Sequence, residues 1–368
     1  TSFIHLTRSN EGFNPDHVLT FLFETPDSRY ENSRAQFYQE YFEKLRALPG
    51  VESAGGSMML PMTYNGATVS FENPEHPLPK GQLESASLDL VTPGYFRTIE
   101  IPLLSGRDFT DADTEKSPQV MIVNSAFAQK YFHGEDVLGK KLKPGTSNGP
   151  KSPPAWRTIV GVVGNIRTGA TDREMDPMYY LPASQLPNWC CLYSVVRTQR
   201  DPLSLEPEVR NLVTSMDPDI PVTDVRTMHE RVALELAQPR FAMVLLSAFA
   251  GLALVLTLVG LYGVMAYSVA RRTREIGVRL ALGASRIMVL QMVLRQAAVL
   301  VGIGTALGIV ATLASGPVLR AFLYGTGARN PMVLAGVCGL VAVTGFLAAY
   351  LPARRAMRVD PSVALRYE

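Results

Sequence analysis

The sequence predicts an α+β domain followed by an α-helical transmembrane domain, and three observations carry that prediction. Charge and hydropathy change abruptly near Arg240; three long uncharged runs follow that point; two strand–helix–strand patterns bracket a middle section before it. Residues 1–240 hold 23 Lys/Arg and 30 Asp/Glu, whereas residues 241–368 hold 12 Arg, no Lys and 3 acids. The overall net charge of +2 hides two chemically different halves. A chain of 368 residues has room for both.

The uncharged runs are Phe241–Ala270, Gln296–Leu319 and Pro331–Ala353. As a helix, the first would be roughly 45 Å long at 1.5 Å per residue, against a hydrocarbon core of about 30 Å. Three such runs predict three spans, near 241–270, 296–319 and 331–353. Six arginines lie between Arg271 and Arg295 and four more between Arg354 and Glu368, but only Arg320 and Arg329 join the second and third spans. The positive-inside rule puts the 271–295 linker and the C-terminal tail in the cytoplasm. An odd number of spans then places the acidic residues 1–240 outside it. No export signal is visible at Thr1, so a further helix upstream of residue 1 is expected, four in all.

Within residues 1–240, "HVLTFLFE" has strand propensity. A helix follows with Ser33 as a cap and Phe37, Tyr41, Phe42, Leu45 and Leu48 as its apolar face, ended by Pro49-Gly50. "VESAGGSMML" is the returning strand of this first βαβ unit. "LYSVVRT", a helix around "LEPEVRNLVTSMDP" and "IPVTDVRTM" form a second. The expected layout is a porter-like part (1–88 and 190–240) interrupted by an inserted lobe (89–189). In the lobe, Asn124 or Ser125 starts a short helix ending near His133-Gly134, and Ile159–Val163 is a buried strand.

Catalytic motifs are weak. GTSNG at 145–149 fits G-x-S-x-G, but Pro144 and Pro150 flank it in a loop, where a nucleophile elbow needs a strand and a helix. Asp108, Asp111, Asp113 and Glu115 lack the glycine and distal Glu of a calcium loop and read as a polar turn. His5, His17, His76, His133 and His229 show no metal-ligand spacing, and no phosphate-binding G-x-x-x-x-G-K-[ST] is present. No metal, cofactor or catalytic residue is expected on this chain. Cys190 and Cys191 are neighbours, which seldom bond to each other, and Cys338 lies in an apolar run. Gly304 and Gly308 form a G-x-x-x-G suited to close helix packing.

"RRTREIGVRLALGAS", residues 271–285, remains to be explained. On a helix, Arg272, Glu275 and Arg279 share one face, and Ile276 and Leu280 another. Gly283 suits the C′ position and Ser285 can cap the next helix. The pattern describes a short helix along the inner membrane surface. Charge alone does not say whether it docks a partner or only touches anionic headgroups.

This stretch resembles the signature cytoplasmic segment of MacB/FtsX-type ABC transporter permeases, and "LPARRAMRVDPSVALRYE" resembles that family's C-terminal segment. "GRDFTDAD", "VNSAFAQKYF" and "IVGVVGNIR" look like the MacB-type periplasmic core domain. The nearest likeness is to the duplicated permeases of acidobacteria. The resemblance implies a four-helix, multi-pass inner-membrane permease whose short cytoplasmic helix rests on a separate ABC ATPase dimer. Matched position by position, the coupling residues are Arg274, Glu275, Ile276, Gly277, Arg279, Gly283 and Ala284. ATP then belongs to the partner, and ATP-driven motion reaches the periplasmic domain by mechanotransmission, for efflux. A second permease copy or half, the lipid bilayer and a periplasmic adaptor or outer-membrane channel are the other implied partners; nucleic acid is not. The alternative within the same architecture is an FtsX-like scaffold controlling a periplasmic cell-wall hydrolase.

Overall fold

The computed structural model describes residues 12–30, 33–63, 67–75, 79, 82–146, 154–169, 176–186, 191–282, 285–314 and 331–356. The chain divides into two units, and the division falls between Gln238 and Pro239.

In the first unit, β1 (Val18–Glu24), α1 (Arg34–Arg46) and β2 (Val51–Ser57) are the first strand–helix–strand pattern. The second is β10 (Cys191–Thr198), α3 (Glu206–Met216) and β11 (Thr223–Thr227). Their strands lie in the order β11–β1–β10–β2, each pair antiparallel. β10 therefore sits between β1 and β2, a split βαβ arrangement of the ferredoxin-like kind. Leu19, Phe21 and Phe23 of β1 face a core shared with Phe37, Tyr41, Phe42 and Leu45 of α1 and Val209 and Val213 of α3. Val18 belongs to the core on the opposite face, as the two-residue period of a strand requires. Ser33 occupies the N-cap position of α1 without a side-chain hydrogen bond.

The two adjacent glycines of β2 have a packing reason. A methyl group on Gly55 would lie 2.6 Å from the backbone of Tyr95, and one on Gly56 would lie 2.6 Å from the Phe42 ring. The one-turn helix Tyr95–Thr98 and α1 thus press on β2 from its two faces.

Between Ser57 and Cys191 the chain builds β3 (Ala67–Glu72), β4 (Glu84–Val91), β5 (Leu103–Gly106), β6 (Val120–Asn124), α2 (Ser125–Phe132), β7 (Lys141–Pro144), β8 (Arg157–Val163) and β9 (Met178–Pro182). Strands β4–β3–β7–β8–β6–β9 pair in succession, and β9 pairs back in parallel with β4. The ring closes into a small barrel, which removes the exposed edges of an open sheet. A single bridge, Ser57 with Val91, joins β2 to β4. Strand pairing thus puts residues 67–91 in the inserted lobe, which begins after Ser57 rather than at residue 89. Asn124 caps α2 by accepting from the Phe127 amide at 2.8 Å, and His133 and Gly134 end it with positive φ. Gly145 pairs with Ser70 through its amide at 2.8 Å, while 147–149 of GTSNG lie outside the described residues. Cys191 is disulfide-bonded and Cys338 is free, while Cys190 lies outside the described residues.

The second unit is helical. Helix α4 (Met228–Arg271) is followed by α5 (Thr273–Ala281), α6 (Arg286–Ala314) and α7 (Pro331–Ala356). Segments 228–271, 287–312 and 334–354 are long and apolar enough to cross a membrane. The first helix begins earlier than the uncharged run, at Met228, whose side chain is buried with Val232 and Leu236 in the core of the first unit. Residues 315–319, expected in the second span, lie outside the described residues.

Candidate functional site

The basic stretch from Arg271 folds as a turn and a short helix. The Arg272 amide still donates to Ser268 and Val269, at 3.3 and 3.1 Å, and the Ile276 amide opens α5 by donating to Arg272 at 2.9 Å. Thr273 covers the carbonyls left at the end of α4: its hydroxyl lies 3.1 and 2.9 Å from those of Val269 and Ala270 and shares its one proton between them. The break between the helices is therefore one residue long and stitched on both sides.

Ile276 is the anchor. It is 2% exposed and packs with Val289 of α6, with Val269 of α4 against them. On the outer side Glu275 and Arg279 pair at 2.6 Å, one helical turn apart and each about half exposed. The Arg279 guanidinium also reaches Met292 Sδ of α6 at 3.7 Å. Ser285 caps α6 by accepting from the Met288 amide at 3.3 Å, as its sequence position suggested. Leu282, at 82% exposure, and Val278 leave an apolar edge beside the ion pair. The arrangement offers an exposed face of mixed charge and hydrocarbon, carried by a helix tied to both its neighbours.

The expected residues are thus partly brought together. Glu275, Ile276 and Arg279 form the seat and rim of α5; Arg274 and Gly277 lie on the same helix; Gly283 and Ala284 lie outside the described residues. Sequence reading missed Thr273, Val289 and Met292. Thr273 carried a usable signal, a β-hydroxyl residue just after a long apolar run. Val289 and Met292 carried none, since each is one apolar residue among many on α6.

The glycine pair behaves differently. Among the described residues, methyl groups on Gly304 and Gly308 would meet nothing within 4 Å. The close approach falls on Gly345 of α7, where a methyl would lie 2.5 Å from Val301 of α6 and 3.6 Å from Leu261 of α4. Met265, Val293, Ala297, Ala349 and Ala353 continue this core. Small residues let these helices approach, as expected for helix packing in lipid.

In the first unit the acidic run is a built turn. Asp113 accepts from both terminal nitrogens of Arg107 at 2.8 Å and from the Thr110 amide at 2.8 Å. Burial pushes its carboxyl up, but Arg107 and Thr110 more than offset this and hold it below the usual range. Among the described residues no group of three His, Cys, Asp or Glu side chains is placed to hold a metal.

Comparison with known proteins places these features. Residues 7–231 match the MacB-like periplasmic core domain, and residues 247–361 match the FtsX-like permease C-terminal domain. The macrolide export ATP-binding/permease protein MacB of Wolinella succinogenes is 26% identical over 96% of this chain and 52% of its own length. The corresponding MacB 1 of Yersinia pestis bv. Antiqua is 30% identical over 77% of this chain and 44% of its own. The pyoverdine export protein PvdT of Pseudomonas savastanoi pv. phaseolicola is 26% identical over 84% and 46%. This chain spans about half the length of these relatives. The periplasmic region of MacB from Actinobacillus actinomycetemcomitans aligns with a TM-score of 0.39 at 16% identity, over 60% of this chain and 93% of that one. With the core-domain family covering well over half of its residues and the permease family covering its helices, this chain belongs to the MacB/FtsX-type ABC permeases.

Proposed function

We propose that this chain is the permease part of an ABC-type export system in a bacterial inner membrane, with residues 1–240 in the periplasm and α5 and the C-terminal tail in the cytoplasm. The arginine distribution supports this orientation. A separate ABC ATPase dimer binds and hydrolyses ATP, and its closure moves α5. The observation that carries the proposal is the mounting of α5: Ile276 locks it to α6, and Thr273 ties it to the end of α4. α5 follows directly on α4, whose uncharged part, 241–270, is long enough to cross a membrane. Motion of α5 is passed along the membrane-spanning part of α4, and no pore through the membrane is needed. The work is then done on the periplasmic side, on an amphipathic molecule of the kind named for the macrolide and pyoverdine exporters. A second copy of the permease unit completes the two-fold ATPase seat. Relatives named for export align with both units, which favours export over control of a cell-wall hydrolase.

Glu275→Arg, which reverses the charge of the exposed rim, and Gly277→Trp, which crowds α5, test the coupling. Both variants are expected to insert at wild-type levels and to lose export together with substrate-stimulated ATP hydrolysis in the reconstituted complex. Export unchanged in both removes the coupling role of α5.

A further inference from the structure

The inserted lobe carries one buried positive charge that the fold leaves unbalanced. Arg157 opens β8 on the same side of the strand as Ile159, which belongs to the apolar core, and it is only 4% exposed. Arg197 and Arg231, also buried, each have a carboxylate: Glu100 at 3.3 Å and Asp224 at 2.7 Å. Arg157 has no ion pair among the described residues, and no carboxylate acts on its charge. Burial pulls the guanidinium down to about 10, which still leaves it protonated at neutral pH.

Its hydrogen bonds go to neutral groups and leave from one nitrogen. Nη1 donates to Gln185 Oε1 at 2.8 Å and to the Val120 carbonyl at 3.3 Å. Gln185 is held in that orientation from its other end, where Nε2 donates to the carbonyls of Thr114 and Pro118 at 3.3 and 3.1 Å. A guanidinium has five N–H groups. With Nη1 occupied, the Nε–H and both Nη2–H groups have no acceptor among the described residues. That edge is the one able to grip a carboxylate through two parallel hydrogen bonds. The Tyr179 hydroxyl on β9 is fully buried and also lacks a hydrogen-bond partner, and Arg157 lies near enough to act on it. Neutral acceptors reduce the cost of a buried charge, but a counter-ion removes most of it. The slight exposure of Arg157 limits that ion to a few atoms, and one positive charge calls for one negative.

We propose that the Nε–Nη2 edge of Arg157 is a binding site for a small monocarboxylate, with the Tyr179 hydroxyl as a further donor. A bound anion balances the charge and ties the start of β8 to β9. Neither ATP nor export is needed for it to bind.

The test uses the full chain in lipid nanodiscs at pH 7 and compares sodium acetate with sodium chloride at equal ionic strength by amide hydrogen exchange. Acetate at about 100 mM is expected to slow exchange in β8 and residues 178–186 at least threefold, as a site about two-thirds filled would. The amides of β1 and α1 are expected to stay unchanged. Arg157→Lys keeps the charge but not the fork, and is expected to remove the difference between the salts. Tyr179→Phe leaves Arg157 in place and is expected to at least halve that difference, so the site stays testable should Arg157→Lys fail to fold by circular dichroism. Exchange alike in both salts, slowing spread evenly over the first unit, or an acetate effect unchanged in either folded variant overturns the proposal.

Discussion

Asp89 is the residue whose chemistry departs furthest from its sequence appearance. It is fully buried on β4, opposite Tyr180 in the parallel pairing with β9, where the barrel meets the sheet. The Ser57 hydroxyl lies 2.6 Å from Asp89 Oδ2 but also contacts the Met59 carbonyl, and the Met59 amide donates to Asp89 Oδ1 at 3.0 Å. A hydroxyl has one proton. If Ser57 gives it to Met59, the bond to Asp89 needs a proton from the carboxyl itself, so a neutral Asp89 satisfies the cluster best. Burial pushes this carboxyl up to about 7, against the counter-effects of Ser57 and the Met59 amide. An unfolded aspartate titrates near 3.9. Between those values the folded state holds the proton and the unfolded state does not. The contribution is therefore fully present below about pH 4 and is lost as pH rises through 7, by at most about 1.4 kcal/mol per pH unit. Hydrogen exchange of the β4 amides in the full chain is expected to accelerate from pH 5 to 7 beyond its intrinsic rate, and Asp89→Asn is expected to remove that excess. An identical excess in the variant refutes the assignment.

At the scale of elements, α5 shows how a short helix is kept in place. Nine residues make too few turns to be stable alone in water, so tertiary packing has to hold it. Ile276 supplies that packing against Val289, whereas the Glu275–Arg279 pair, half exposed, contributes little to stability. Ile276→Ala leaves a hole between α5 and α6, and such truncations cost about 2–5 kcal/mol at buried sites. Amide exchange across residues 273–281 is expected to rise at least tenfold in Ile276→Ala and to change little in Arg279→Gln. Equal effects of the two substitutions would show that charge, not packing, seats the helix. The place of Ile276 on a helix face with Leu280 was readable from spacing; its partner was not, because Val289 is one apolar residue among many in α6.

For the whole molecule the decisive quantity is the arginine distribution, which no tertiary contact alters. A Cys replacing Arg274 is expected to react with a membrane-impermeant maleimide only from the cytosolic side, and one replacing exposed Glu115 only from the periplasmic side, with the native cysteines as the control. The reverse pattern would invert the orientation and with it the export reading. Both positions belong to segments that sequence alone identified, one by charge and one by turn composition.

Local chemistry was enough to settle the division near Arg240, the three apolar helices, the caps at Asn124 and Ser285 and the helix carrying Glu275 and Ile276. Each depends on residues within a few positions of one another: periodicity, capping and charge. Tertiary structure alone decided that β10 threads between β1 and β2, that residues 67–91 belong to a closed barrel, that Gly345 receives a neighbouring helix, and that α1 and the Asp111–Lys116 turn face each other across a cavity. Each of these joins groups far apart along the chain. The free energy of such pairings lies in surfaces that meet only once the chain has folded, so no window of sequence contains it.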